Sequence, residues 1–193
     1  MASFGGGGGS FNIDTFTAKL TRGGALASLF ECEILAAGKG SKGDIGDFTF
    51  MCSGVSFPAS TITGATVTYM GRGLTIPGGR EVAQITTSLY NDEFMEVRNY
   101  IESWMERLNS QRTNKRDSSF IKILDYTGEM KIRQLKKDGT GSSKEYVFHN
   151  VWPSSCPEIA MSWETNEIQT FAITWEYNYW KALNESGGTV AGN

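Results

Sequence analysis

The stretch that decides the fold is Thr170–Tyr179, which reads TFAITWEYNY and alternates between two classes of side chain. The large apolar members occupy the odd positions, which are Phe171, Ile173, Trp175, Tyr177 and Tyr179. The small or polar members occupy the even positions, which are Thr170, Ala172, Thr174, Glu176 and Asn178. Because side chains of a strand point alternately to opposite faces, this pattern predicts a strand of roughly 33 Å with one buried face.

Shorter alternating runs of the same kind fill most of the chain. They are Leu29–Leu35, Asp47–Val55, Ala65–Ile76, Val82–Tyr90, Phe120–Tyr126, Glu129–Leu135, Glu145–Trp152, Glu158–Trp163 and Ile168–Trp180. Turn residues separate them: Thr127-Gly128 is a candidate two-residue hairpin, Pro77-Gly78-Gly79 a tight turn, and Lys137–Ser143 a longer polar loop. This spacing predicts a mainly β fold, an antiparallel sandwich or barrel.

One α-helix is predicted at about residues 92–108. Asn91 is the candidate N-cap, and Asp92 and Glu93 lie where the helix dipole favours acids. Apolar residues recur at three-to-four spacing, at Phe94, Val97, Ile101, Trp104 or Met105, and Leu108. The opposite side carries Glu96, Glu102 and Glu106, which are either ordinary solvated charges or a docking face for a surrounding partner. The helix should lie on the sheet with its apolar stripe inward.

Composition narrows the classes of function. The 193 residues suit one domain, at 16–182, between a glycine-rich arm at 1–15 and a tail at 183–193 that we expect to be flexible. A net charge of −3 gives no general attraction to phosphates. The start, MASFGGGGGS, lacks the features of a secretory signal, and no apolar run is long enough to span a membrane. We expect a protein that matures in the cytoplasm and does not insert into membranes.

No motif predicts catalysis, a metal or a cofactor. Cys32, Cys52 and Cys156 form no CxxC pair, so buried free thiols are expected. His149 is the only histidine and cannot alone supply a triad or a zinc site, and we interpret it as a surface or interface residue. The segment Gly38–Gly43 fits GxGxxG, but a strand-like run follows it instead of a helix, which favours a hairpin loop.

Three blocks, in order along the chain, carry a family signature. They are Phe48-Thr49-Phe50-Met51-Cys52 ending at Pro58; Asn91-Asp92-Glu93; and Trp152-Pro153, Glu158, Trp163, Asn166–Phe171 and Tyr179-Trp180. Together they resemble the tail tube proteins of contractile-tailed bacteriophages, and the likeness covers about residues 29–180.

The resemblance implies an assembly. Protomers of that family join edge to edge into hexameric rings that close one continuous barrel around a lumen, and the rings stack into a tube through which DNA is ejected. The implied partners are a sheath, a baseplate, a tape-measure protein and a tail terminator, and the implied location is the virion tail, assembled in the host bacterial cytoplasm. A related alternative is the inner tube of a phage-derived contractile injection device or type VI secretion system that delivers proteins. A third is a monomeric carbohydrate-binding β-sandwich that uses exposed aromatic residues.

Two strand faces rich in small polar side chains would be wetted without being adhesive, which suits a water-filled channel. The lumen-facing candidates are Gln84, Thr86, Ser88, Thr170, Thr174 and Glu176.

The segment 63–78 is more apolar than a solvated loop, and its candidates for contact with a neighbouring subunit or ring are Tyr69, Met70, Arg72, Leu74 and Ile76. The sheath-contact candidates are Glu96, Glu102 and Glu106. A channel for DNA also requires a set of four cations to point away from it or to pair with acids: Lys131, Arg133, Lys136 and Lys137.

Overall fold

A computed structural model describes residues 13–20, 23–35, 47–164 and 166–184. Most of the predicted N-terminal arm, most of the Gly38–Gly46 loop and the tail beyond residue 184 lie outside these ranges. In chain order the helices are α1 (Ile13–Lys19), α2 (Phe48–Met51), α3 (Glu96–Leu108) and α4 (Ile123–Tyr126). The strands are β1 (Phe30–Leu35), β2 (Cys52–Val55), β3 (Ser60–Tyr69), β4 (Arg72–Val82), β5 (Ile85–Tyr90), β6 (Gly128–Leu135), β7 (Ser142–Ser155), β8 (Thr170–Glu176) and β9 (Tyr179–Asn184).

The fold is mainly β and antiparallel, as predicted. Seven strands form one sheet in the order β1-β6-β7-β8-β5-β2, with β9 paired to β7, and β3 and β4 form a separate two-stranded sheet. The fourteen-residue β7 joins the two halves of the large sheet, because its first part pairs with β6 and β9 and its last part pairs with β8. Asn150, with a φ of 58°, lies between these two parts, where the strand turns from one half to the other.

One hydrophobic core lies between the two halves of the sheet. It joins Cys32 and Ile132 of the first half to Leu89 and Trp175 of the second, and α3 adds Ile101. The predicted helix is therefore confirmed as α3, although it begins at Glu96 and not near residue 92, and its residues Val97, Ile101 and Trp104 are buried. The cap was predicted wrongly: the Asp92 carboxylate accepts the backbone N–H groups of Phe94 and Glu96, at 3.2 and 3.0 Å, whereas Asn91 donates to Gln169. Phe94 was also placed wrongly on the apolar stripe, since it is exposed.

Three predicted strands are wrong in whole or in part. The run Asp47–Val55 begins as α2: a strand would put Phe48 and Phe50 on one face, but Phe48 is 0% exposed and packs 6.1 Å from the Trp175 ring, while Phe50 is 84% exposed. The run Phe120–Tyr126 ends as α4, because the Asp125 carboxylate accepts the Lys122 N–H at 2.8 Å and closes a helical turn. Thr127-Gly128 consequently follows a helix and is not a hairpin turn. Glu158–Trp163 is an exposed loop.

Two other runs are divided differently from the prediction. Ala65–Ile76 is two strands, β3 and β4, with the turn at Met70-Gly71, and Pro77-Gly78-Gly79 lies inside β4 instead of forming a turn. Val82 accordingly belongs to β4 and not to β5. Ile168–Trp180 is interrupted at Tyr177-Asn178, where β8 ends and β9 begins, so the predicted continuous strand of 33 Å is wrong. The alternation that predicted it still holds within β8, whose residues Phe171, Ile173 and Trp175 are buried.

Candidate functional site

The antiparallel pair β5–β8 has one buried face and one polar face. Its register places Thr86 opposite Thr174, and Ser88 opposite Ala172. Thr87 and Ile173, which lie between these pairs, point into the core. Thr87 is polar, and its hydroxyl accepts a hydrogen bond from the Trp175 indole N–H at 2.9 Å. Pairing therefore brings small hydroxyl-bearing side chains from both strands onto one outer surface.

The remaining predicted lumen residues lie on the same surface. The Gln84 amide donates to Glu176 Oε1 at 2.5 Å, which fixes Gln84 beside the end of β8. Thr170 lies opposite the exposed Tyr90 at the other end of the pair. We call the six residues together the polar face: Gln84, Thr86, Ser88, Thr170, Thr174 and Glu176. Only Glu176 among them is charged, so the polar face contains no cation that could hold a phosphate.

The part of the sheet that carries the polar face has two open edges. In the described part of the chain, β2 pairs only with β5, so its outer edge has unpaired backbone groups. On the opposite side, residues 152–155 of β7 pair with β8, whereas the β6 ladder on their other edge ends at Val151. An unpaired strand edge is a template for pairing with another chain. Such edges are compatible with edge-to-edge association.

The hairpin β3–β4 is exposed along its whole length. Its register is uninterrupted from Ala65 to Ile76, and it pairs Val67 with Leu74 and Thr66 with Thr75. Cross-strand partners share a face, so the hairpin has one apolar face and one face of threonine and glycine. The apolar face consists of Ala65, Val67, Tyr69, Arg72, Leu74 and Ile76. It includes four of the five predicted contact residues.

The fifth contact residue, Met70, is at the tip of the hairpin. Met70 and Gly71 have φ angles of 47° and 77°, as the central residues of a type I′ turn require. A left-handed backbone costs a non-glycine residue about 1–2 kcal/mol. Met70 is nevertheless 88% exposed. The tip thus presents a large apolar side chain on a strained, solvent-facing turn, and the protein itself gains no burial from it.

The helix α3 lies on the buried side of β5–β8, since its Trp104 ring is 6.1 Å from that of Trp175. Its outer side carries the three predicted sheath-contact residues. Glu102 accepts a hydrogen bond from Arg98 Nε at 2.7 Å, and Glu106 accepts the Gln111 N–H at 3.1 Å. A hydrogen bond with Ser110, followed by the Gln111 bond, lowers the pKa of the Glu106 carboxyl. These acids and the polar face are therefore on opposite sides of the molecule.

The basic residues Lys131 and Arg133, which should not line a channel for DNA, lie on another part of the sheet. Arg133 of β6 is held by Glu31 at 2.9 Å, Glu33 at 3.0 Å and Glu145 at 3.6 Å. Lys137 donates to the Gly23 carbonyl at 3.2 Å. Lys131, on the same outer face of β6 as Arg133, lies opposite Glu33 in the register. The strand β6 borders β1 and β7 and not β5 or β8, so Lys131 and Arg133 are remote from the polar face.

Candidate chemical groups are dispersed in the structure. Among the described residues, no cluster of three or more His, Cys, Asp or Glu side chains has the arrangement of a metal site, and no described helix is long and apolar enough to cross a membrane. All three cysteines are free. Cys32 and Cys52, distant in sequence, are neighbours: their hydrogen bond raises the pKa of Cys32 and lowers that of Cys52, and burial raises the former further. His149 is half-buried and stacks on the Tyr179 ring at 4.7 Å.

Sequence reasoning missed one exposed surface. The loop from Pro157 to Gln169 carries Met161, Trp163 and Ile168 with largely exposed side chains, and part of it borders an open groove of about 500 Å³. The alternation of Glu158–Trp163 predicts a strand in place of this loop. The apolar residues combined with three glutamates and no lysine or arginine could have indicated a surface.

The sequence and the fold are similar to those of known proteins. The phage tail tube protein family matches residues 16–183. The tail tube protein gp19 of Enterobacteria phage T4 is 28% identical over 158 residues, which are 81% of this chain and 91% of that protein, and the T6 protein matches to the same extent. A chain in the cryo-EM structure of the anti-feeding prophage (AFP) baseplate has a TM-score of 0.62 at 11% identity, covering 83% of this chain and 95% of its own. A chain in the PVC sheath-tube complex, an extracellular contractile injection system, has a TM-score of 0.55 at 13% identity, covering 91% and 99%. The match over residues 16–183 shows that the chain belongs to the phage tail tube protein family.

Proposed function

We propose that this protein is the structural subunit of a contractile phage tail tube, that it assembles into stacked hexameric rings, and that the polar face lines the channel through which DNA is ejected. The observation that carries the proposal is the two-sided pair β5–β8. Its inner face anchors the core through Trp175, and its outer face has no cation, although a free surface usually carries lysine and glutamate. A structural role accounts for these features without any catalytic group.

Ring closure would use the two open edges of the sheet. The outer edge of β2 in one protomer pairs with the free edge of residues 152–155 of β7 in the next. Such a contact joins two different surfaces, so it generates a ring if its rotation closes. Closure removes both edges and completes one barrel around the channel. Six subunits agree with the family resemblance and with the six-fold symmetry of the AFP baseplate that contains a structural relative.

Stacking of rings would use the β3–β4 hairpin. A two-stranded hairpin alone is at best marginally stable in water. The apolar face of this hairpin, with Leu74 63% exposed, gains cover when it lies against another subunit. Burying a side chain such as Leu74 or Met70 contributes about 1.5–3 kcal/mol. The five residues Tyr69, Met70, Arg72, Leu74 and Ile76 are the contacts we propose.

The charges of the channel suit the passage of DNA. Phosphates are held by lysine and arginine, so a wall of threonine, serine and glutamine with one carboxylate lets DNA slide without specific binding. Arg133 and Lys137 have polar partners, and β7 lies between β6 and this wall. DNA passes through the proposed channel and is not specifically bound there.

The outer surface would face the other tail proteins. With the polar face inside, α3 is outside, and Glu96, Glu102 and Glu106 are available to a sheath. One structural relative belongs to a sheath-tube complex, which supports a sheath as the partner. A baseplate, a tape-measure protein and a terminator complete the proposed set. The place of action is the virion tail, which is assembled in the bacterial cytoplasm of the host.

A related function is delivery of protein by a contractile injection device. The AFP and PVC chains share this fold, but the identities of 11% and 13% extend no further than the fold. The phage family match favours the virion. Neighbouring genes separate the two functions, because capsid and terminase genes indicate a virion.

Negative-stain electron microscopy of the purified protein, over a range of salt and protein concentrations, tests the assembly. We expect rings or tubes with an open central channel. A protein that remains monomeric under all conditions would contradict the proposal, and one that also binds glycans would favour a carbohydrate-binding module.

A further inference from the structure

Two exposed apolar surfaces lie at opposite ends of the β5–β8 pair. The hairpin leaves from the end where β5 begins, because only two residues separate Val82, the end of β4, from Ile85. The loop 157–169 lies where β5 ends: the Asn91 N–H donates to the Gln169 carbonyl at 2.9 Å. Five steps of about 3.4 Å along β5 separate the two ends by about 17 Å.

The loop end forms an open groove. Its volume is about 500 Å³, and its lining includes Glu158, Ile159, Met161, Glu167 and Ile168. The Arg98 guanidinium donates to the Pro157 carbonyl at 3.4 Å and holds the start of this loop against α3. Met161 and Ile168 are largely exposed, so in the described part of the chain the apolar part of the groove has little cover.

The hairpin tip and the groove are complementary in charge. Arg72 is at the tip, and among the described residues none forms an ion pair with it. The groove has Glu158 and Glu167 in its lining, and no described residue pairs with either of them. Residues 157–170 contain three glutamates and no lysine or arginine. The tip thus offers a methionine, a tyrosine and a cation to a surface that offers apolar side chains and carboxylates.

A hairpin tip that fills this groove comes from another copy. The hairpin and the groove are on opposite ends of the same strands, so a contact between them is head-to-tail. Ring closure uses the sheet edges, so it joins subunits side by side around the ring. The strands of a barrel tilt by about 35–45° from its axis, so their two ends point toward the two ends of the barrel. A contact from one strand end to the other therefore extends along the tube. The eleven residues of β4 make the hairpin about 34 Å long, enough to cross into a neighbouring subunit.

We infer that the tip of the β3–β4 hairpin, with Tyr69, Met70 and Arg72, docks into the groove of the 157–169 loop in a copy of the next ring, where Arg72 pairs with Glu158 and Glu167. The inference rests on the proposed tube and names the surface that receives the hairpin. It also makes the contact directional, since each ring presents tips at one end and grooves at the other. Stacked rings then extend as an open filament.

A charge exchange tests this docking. In R72E and in E158K/E167K, a repulsive contact replaces the attractive one, and we expect each variant to form rings but to require at least tenfold more protein than wild type for tube growth, measured by sedimentation and negative stain. The combined variant R72E/E158K/E167K restores the attraction with reversed sign and should grow within about threefold of wild type. R112E, a charge reversal on an exposed arginine outside both surfaces, is the matched control and should grow as wild type.

The outcomes separate the docking from the tube itself. Wild-type protein that forms neither rings nor tubes would overturn the proposed function. Wild-type tubes together with unchanged growth of R72E or of E158K/E167K, or with a combined variant worse than both, would overturn the docking alone. A second readout is direct: M70C and M161C chains of different tagged sizes, mixed and oxidised, should give a mixed disulfide above the background of the native cysteines. Absence of that mixed product from assembled tubes would also overturn the docking.

Discussion

The β3–β4 hairpin and the β5–β8 pair have the same pattern of alternating side chains but opposite surroundings. In β8 the apolar residues are buried against α2, α3 and the first half of the sheet. In the hairpin the apolar residues are exposed, and the strained tip adds Met70 to them. Alternating side chains therefore predict which face of a strand is buried, but they do not predict whether the residues that bury it belong to the same chain. In the hairpin we propose that it comes from another subunit.

The core side of the comparison should show the largest effect. Removing the fully buried indole in W175A creates a cavity and leaves the Thr87 hydroxyl without its donor, and we expect the free energy of unfolding to fall by about 3–5 kcal/mol. Chemical denaturation followed by circular dichroism measures the loss. The neighbouring T174A, on the polar face, is the control and should change stability by less than about 0.5 kcal/mol. Similar losses in both variants would contradict the two-sided strand.

The hairpin should respond in the opposite way. M70D/L74D places charges on the surface that we propose to be buried between rings, and each lost apolar contact should cost assembly about 1.5–3 kcal/mol. Tube growth should stop, while the unfolding free energy stays within about 0.5 kcal/mol of wild type, since neither side chain contacts the core.

Sedimentation and denaturation of the same preparations compare the two quantities. M70L/L74M keeps the apolar area and should grow normally. Tubes of normal length from M70D/L74D would remove the hairpin from the proposed contact.

The same contrast explains what the sequence could predict. The buried and exposed faces of β5, β6 and β8 were predicted correctly, because each strand packs on one side and faces water on the other. The bounds predicted for the runs that contain β5 and β8 were wrong. The polar face followed from those strands, and the register then brought its residues together. Four-residue helical turns were missed, because Phe48–Met51 and Ile123–Tyr126 are too short for their periodicity to differ from that of a strand.

The surfaces that we propose for assembly were predictable only in part. The exposed segment around Gly71 was identified by its excess of apolar residues. Its division into two strands depends on a positive φ at Met70, which could not be predicted because methionine rarely adopts a positive φ. The groove of loop 157–169 could not be predicted, since both ends of the loop line it and their positions depend on contacts of Pro157 with Arg98 and of Gln169 with Asn91.

Changing the polar face should alter the passage of DNA without altering the fold. In T86K/T174K, lysines line the proposed channel, and tubes should retain short double-stranded DNA. If two phosphates are neutralised, the affinity falls about 12-fold for each fourfold rise in salt. Filter binding to assembled tubes measures this. T86Q/T174Q is the uncharged control and should not retain DNA. Equal retention by both variants would place these residues away from the channel.

The segment 109–122 after α3 should give the smallest effect. Most of it is exposed like the hairpin, although Phe120 is buried, and polar contacts of its own hold it in place. Hydrogen bonds from Ser119 and Arg107 lower the pKa of Asp117 from 3.8 to about 2. A lowered pKa stabilises the fold above the unfolded value, and this contribution is lost as the pH falls from about 4 through about 2. D117N should therefore be slightly less stable at neutral pH and should show a flatter decline below pH 4 in acid titrations followed by fluorescence. A variant with the wild-type decline would contradict this assignment.

The central claim is that the polar face of β5–β8 surrounds a channel while the hairpin reaches the next ring. A cryo-EM reconstruction of assembled tubes tests it most directly. We expect an open bore lined by Thr86 and Thr174, with the Met70 tip buried in a subunit of the adjacent ring. A tube in which Thr86 and Thr174 face the outer solvent, or in which Met70 remains in solvent, would contradict it.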